Sequence, residues 1–77
     1  MIFKGEYLNG KRNGKGKEYN DEGKLIFEGD YLDGKRNGKG KEYDKELLIF
    51  EGQYLNGKRN GKGKELDEYG LLMFEGD

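Results

Sequence analysis

Two sets of side chains in this sequence could do chemistry: a recurring basic phrase and recurring carboxylate clusters. The phrase "GKRNGKGKE" stands unchanged at Gly10, Gly34 and Gly57. It could be a phosphate-binding loop, a basic arm for nucleic acid, or the turn of a repeated structural unit. "GEYLNGK" from Gly5, "GDYLDGK" from Gly29 and "GQYLNGK" from Gly52 each match the first seven positions of a P-loop. The next residue of that motif must be Ser or Thr to hold magnesium, and the motif must join a strand to a helix. Here the next residues are Arg12, Arg36 and Arg59, and the segment runs from a strand pattern into turn residues. No GxGxxG occurs, because Gly14 and Gly16 are followed by Tyr19. The structural reading of the phrase prevails.

The carboxylates gather at Glu18/Asp21/Glu22, Glu42/Asp44/Glu46 and Glu65/Asp67/Glu68. A glycosidase needs one defined pair, and a calcium loop needs a spaced ligand set. Neither pattern is present, so these are read as solvated loop charges. The chain has no Ser, Thr, Cys or His, which removes the common nucleophiles and the commonest general base. The residue set therefore points away from an enzyme, implies no cofactor, and offers no zinc-binding His or Cys.

Something must position these charges, and composition makes that difficult. Of 77 residues, 31% are hydrophobic and 40% charged, a balance that leans toward disorder. Without cysteine there is no disulfide to staple so small a chain. The longest apolar runs, "LLIF" from Leu47 and "LLMF" from Leu71, fall far short of the ~20 residues of a membrane span. No signal-peptide pattern opens the chain. The expectation is a soluble protein, cytoplasmic or peripheral to a membrane.

The resolution lies in periodicity. Phe3, Phe27, Phe50 and Phe74 recur at steps of 24, 23 and 24 residues, and Tyr7, Tyr31 and Tyr54 follow the first three by four. Gly5, Gly29, Gly52 and Gly76 lie two after each Phe. In "KLIFEGDYL" from Lys24, Leu25, Phe27, Gly29 and Tyr31 alternate onto one face, as in a half-buried strand. "DGKRNG" then reads as a reversal and "KGKEY" as the returning strand. A lone hairpin is unstable in water, so three must associate. The expected fold is all-β, an elongated solenoid-like stack of antiparallel β-hairpins over residues 1–77. Repeats run at about 3–26, 27–49 and 50–73, and 74–77 is a truncated or capping strand. The expected core is Phe3, Tyr7, Phe27, Tyr31, Phe50, Tyr54 and Phe74.

"FEGDYLDGKRNGKGKEY", Phe27 to Tyr43, resembles the MORN repeat, whose pattern is roughly aromatic-x-Gly-x-aromatic-x-x-Gly-Lys-x-x-Gly-x-Gly. The resemblance covers nearly the whole chain as three copies and the opening of a fourth. It implies an elongated array of hairpins and a non-catalytic role in protein contact, self-association or binding of acidic phospholipids. The chain departs from the family where Tyr31 replaces a frequent Trp, and where Lys15, Lys39 and Lys62 replace a frequently bulky residue between paired glycines. Leu66 stands where Tyr19 and Tyr43 stood.

Charge is segregated along the repeat. Residues 9–17, 33–41 and 56–64 together carry +11, and the rest of the chain −12. Stacking would place the three basic segments on one edge. Lys11, Arg12, Lys15, Lys35, Arg36, Lys39, Lys58, Arg59 and Lys62 are thus the candidate rim for anions or lipid head groups. The alternative is that these side chains simply keep turns and edges soluble. Nucleic acid is disfavoured, since the aromatics are committed to the core. The first and last strands share one phase of the repeat and lack polar caps, which implies self-association through them or a protein partner.

Overall fold

The computed structural model describes residues 2–76 and consists entirely of strands and turns. The strands are β1 (Ile2–Leu8), β2 (Lys11–Tyr19), β3 (Leu25–Leu32), β4 (Lys35–Asp44), β5 (Leu47–Leu55), β6 (Lys58–Leu66) and β7 (Leu72–Gly76). They form one antiparallel sheet in chain order, with overall dimensions of 39 × 30 × 13 Å. The hairpins therefore join edge to edge, and the sheet is a single layer.

The reversals are shorter than expected. Only Asn9-Gly10, Asp33-Gly34 and Asn56-Gly57 turn the chain, all at positive φ (51–52° and 80–89°). That is the two-residue geometry that Asn-Gly and Asp-Gly favour. The basic residues after each turn already belong to β2, β4 and β6. The turns are also tied to the preceding repeat, because Gly34 N donates to Arg12 O and Gly57 N to Arg36 O. The variable links close differently. Asn20 Oδ1 accepts from the amides of Glu22 and Lys24, and Asp67 Oδ1 from those of Tyr69 and Leu71. The shorter middle link uses Lys45 and Glu46, both at positive φ.

Each returning strand carries a bulge. Gly5 pairs with Gly16 and Tyr7 with Arg12, so three residues of β2 oppose Glu6 alone. Gly14 makes this possible at φ 88°, and Gly38 and Gly61 repeat it. Two extra residues preserve the alternation, so Arg12 and Gly16 share a face.

Two rows cross the sheet on that face. Phe3, Glu18, Phe27, Glu42, Phe50, Glu65 and Phe74 are successive register partners. Beside them run Gly5, Gly16, Gly29, Gly40, Gly52, Gly63 and Gly76. The rings lean over the glycines: a Cβ on Gly16 would lie 2.5 Å from Phe3 Cζ, and one on Gly40 2.6 Å from Phe27 Cζ. Tyr7, Phe3, Tyr31, Phe27, Tyr54 and Phe50 form one edge-to-face chain with centroids 5.0–5.9 Å apart. Such contacts contribute about 0.5–1.5 kcal/mol each beyond burial. Core burial is thus lateral, between neighbouring hairpins on one face. Phe27, Tyr31, Phe50 and Tyr54 are buried and Phe3 packs against them. Two residues depart from the expected core: Tyr7 is 59% exposed and Phe74 47%. No described strand lies beyond β1 or β7 to bring a covering ring.

Candidate functional site: two faces of the sheet

The ring face consumes the arginines and glutamates. Glu18, only 4% exposed, accepts a hydrogen bond from the Tyr31 hydroxyl and two from Arg36, at 3.0 Å (Nε) and 3.2 Å (Nη2). The Arg36 guanidinium lies 3.9 Å above the Phe27 ring centroid. One repeat later, Glu42 accepts from the Tyr54 hydroxyl and from Arg59 at 2.8 Å and 3.1 Å, and Arg59 lies 4.0 Å above Phe50. Each clamp takes its carboxylate from one repeat and its Tyr and Arg from the next. Cation and ring attract through the ring quadrupole, more strongly when water is excluded.

Electrostatics follow from this packing. Burial opposes the charge of Glu18, but the hydrogen bonds from Arg36 and Tyr31 and the charges of Arg36 and Arg12 outweigh it, and its pKa is lowered. Glu42 is lowered in the same way, against burial, by Arg59 and Tyr54. Burial first, and then the neighbouring carboxylate, push the Tyr31 and Tyr54 hydroxyls upward. The reading of Glu18 and Glu42 as solvated loop charges is therefore corrected. They are structural anions, and alternation onward from Gly16 to Glu18 was the signal that could have found them.

The basic residues do not form one rim. Arg12, Arg36 and Arg59 lie over Phe3, Phe27 and Phe50. Lys11, Lys35 and Lys58 are exposed immediately after the three turns. Lys15 and Lys39 line a groove of about 950 Å³ on the opposite face. Lys62 lines its continuation of about 640 Å³. The split arises because alternate strand residues point to opposite faces.

The groove floor is the glycine row seen from behind. Along one wall, Lys17 pairs with Glu28 at 3.5 Å, Lys41 with Glu51 at 3.8 Å and Lys64 with Glu75 at 3.8 Å. Lys4 lies 5.5 Å from the Tyr19 ring centroid. On the other wall, Lys15 Nζ contacts Asp30 at 2.9 Å. Carboxylates also cap the bulges: Glu6 Oε1 accepts from Lys15 N at 2.8 Å, and Asp30 Oδ2 from Lys39 N at 3.4 Å. Among the described residues, no group of three or more His, Cys, Asp or Glu is placed to hold a metal ion.

Comparison with known families agrees with this geometry. The sequence model of the MORN repeat matches residues 3–24, 27–45 and 50–67. No curated protein and no solved structure matches the chain.

Proposed function

The chain belongs to the MORN-repeat family, and we propose that it is a non-catalytic interaction module that associates end to end with further copies of itself. The observation that carries this reading is a pair of complementary half-clamps. Tyr7 stands where Tyr31 and Tyr54 stand, yet its hydroxyl meets no carboxylate among the described residues. Glu65 stands where Glu18 and Glu42 stand; it binds Arg59 at 2.9 Å but accepts no tyrosine hydroxyl among the described residues. The edge strands beside these groups expose Ile2, Leu72, Met73 and Phe74. Free strand edges with apolar side chains recruit other chains. A strand of the β1 pattern seated against β6 would restore the clamp, with β7 displaced. Sedimentation equilibrium across a wide micromolar range tests this. Concentration-dependent association, weakened by Tyr7→Phe and by Glu65→Gln, is expected. A folded monomer throughout would overturn it.

A second reading, binding of anionic phospholipid, is favoured by Lys11, Lys35 and Lys58. They are exposed at one end of three successive hairpins, and none has an ion-pair partner among the described residues. Two strand spacings separate consecutive members, roughly 9–10 Å. Such binding is electrostatic and fades with salt. Co-sedimentation with phosphoinositide-containing vesicles at low salt tests it, with Lys11, Lys35 and Lys58 all changed to Glu as the comparison.

A further inference from the structure

The groove behind the rings repeats one arrangement of side chains, and its third copy lacks a part. In the first two copies a carboxylate stands at the bulge: Glu6 caps the amide of Lys15, and Asp30 caps that of Lys39. Asp30 also holds the Lys15 ammonium on its other side, at 2.9 Å. On β5 the equivalent residue is Gln53, directly paired with Lys39 on β4. Gln53 makes neither contact: Lys62 N receives no side-chain acceptor and Lys39 Nζ no carboxylate among the described residues.

The charge balance of the groove points the same way. Among the described residues, seven lysines and four carboxylates line its two contiguous parts. All four carboxylates are already paired with lysines, and Lys4 lies against Tyr19. Among the described residues Lys39 and Lys62 are the two left over, and they flank Gln53 on adjacent strands. One negative group placed above Gln53 would take the position Asp30 holds one repeat earlier. It would accept from the Lys39 ammonium and from the Lys62 amide.

The rest of the groove describes what carries that group. Its floor is bare glycine backbone, with no side chain in the way. Six strand spacings of ~4.8 Å make it roughly 29 Å long. An extended chain of about eight or nine residues spans that length. We infer that the groove docks an extended acidic peptide segment of a partner protein, one of whose carboxylates fills the seat made by Lys39, Gln53 and the Lys62 amide. Charge-assisted hydrogen bonds to a carboxylate are the stronger kind, and the paired walls on either side limit where a second carboxylate can settle.

The test uses the isotope-labelled 77-residue chain and a nine-residue peptide with glutamate at every second position. Titration followed by amide NMR is expected to shift Lys62 strongly and Gly40, Gly52 and Gly63 along the floor. Gln53→Glu installs the residue type that Glu6 provides in the first copy, so it leaves the fold intact. It should fill the seat internally, shift the Lys62 amide without peptide, and weaken binding about tenfold or more. Lys39→Met should weaken it comparably, and Asp30→Gln should open a second seat at Lys15 and Lys39. Unchanged affinity in Gln53→Glu, or shifts confined to Lys11, Lys35 and Lys58, would overturn the inference. Equal shifts from acetate or inorganic phosphate at the same concentration would overturn it too, by showing a small-anion spot rather than a docking groove.

Discussion

A single methyl group added at Gly40 should destabilise this protein, although glycine-to-alanine changes in extended backbone usually do the reverse. Gly40 lies in the glycine row beneath two rings. A Cβ there would stand 2.6 Å and 2.7 Å from Phe27 Cζ and Cε1, and 2.8 Å from Tyr54 Cε1. Ordinary contact needs about 3.5–4.0 Å between carbons. Neither ring can swing aside. Phe27 is 0% exposed with Arg36 across its face, and the Tyr54 hydroxyl is held by Glu42. Overpacking of this kind costs about 1–3 kcal/mol. Against it stands a gain of about 0.4–1 kcal/mol from a less flexible unfolded chain. The clash wins, and Gly40→Ala should lose about 1–2 kcal/mol from a total near 4–12 kcal/mol for a chain this size. The melting temperature should fall by roughly 4–16 °C. Urea denaturation followed by circular dichroism and tyrosine fluorescence measures the change. Lys39→Ala, on the opposite face, serves as the neighbouring control and should stay within about 0.5 kcal/mol. In a Phe27→Leu background the added methyl should cost less, because the ring it strikes is gone. If Gly40→Ala is as stable as the parent, the rings do not rest on the glycine row.

Three further outcomes are expected. Phe27→Ala and Phe50→Ala should each cost about 3–5 kcal/mol by chemical denaturation, while Tyr7→Ala, largely exposed, should cost far less; similar losses at all three would contradict lateral burial. Stability should decline on acidification: the ordinary glutamate value is 4.5, and Glu18 and Glu42 lie below it when folded. The unfolded chain therefore binds more protons between those values, and the clamp contribution is lost as pH falls through the folded pKa. Glu18→Gln with Glu42→Gln should flatten that part of the pH profile. Lys45→Asn with Glu46→Gly converts the strained link, at φ 52° and 68°, into the Asn-Gly turn used elsewhere, and should raise stability by about 1 kcal/mol in thermal melts.

Most of the architecture was legible in the residues. The alternation through Phe27, Gly29 and Tyr31 marked β3 as half-buried, and Asn9-Gly10 and its counterparts marked the reversals. Both signals are local, since alternation acts between neighbours and a turn is decided by the φ its own residues tolerate. The boundaries of the returning strands were less legible. Lys11 and Arg12 look like turn residues, yet they pair with Leu8 and Tyr7. Their pairing is settled by the partner strand. The candidate site was harder to read, because two side chains as alike as Lys15 and Arg12 do opposite things. Arg12 covers a ring, and Lys15 reaches an acid on the neighbouring strand.

The repeat, its all-β character, the aromatic positions that could be buried and the absence of Ser, Thr, Cys and His were readable from the residues alone. Each of these follows from residue type and spacing within one unit. Which charges are free depended instead on pairing between strands. The bulge at Gly14, Gly38 and Gly61 sets which basic residues share the ring face, and it forms against Glu6, Asp30 and Gln53 on another strand. The clamps join a glutamate of one repeat to the tyrosine and arginine of the next, so no single repeat contains one. The contrast between Gln53 and Asp30 arises in the same way. A glutamine in a polar strand means little until register places it between two lysines whose counterparts, one repeat earlier, are held together by an acid.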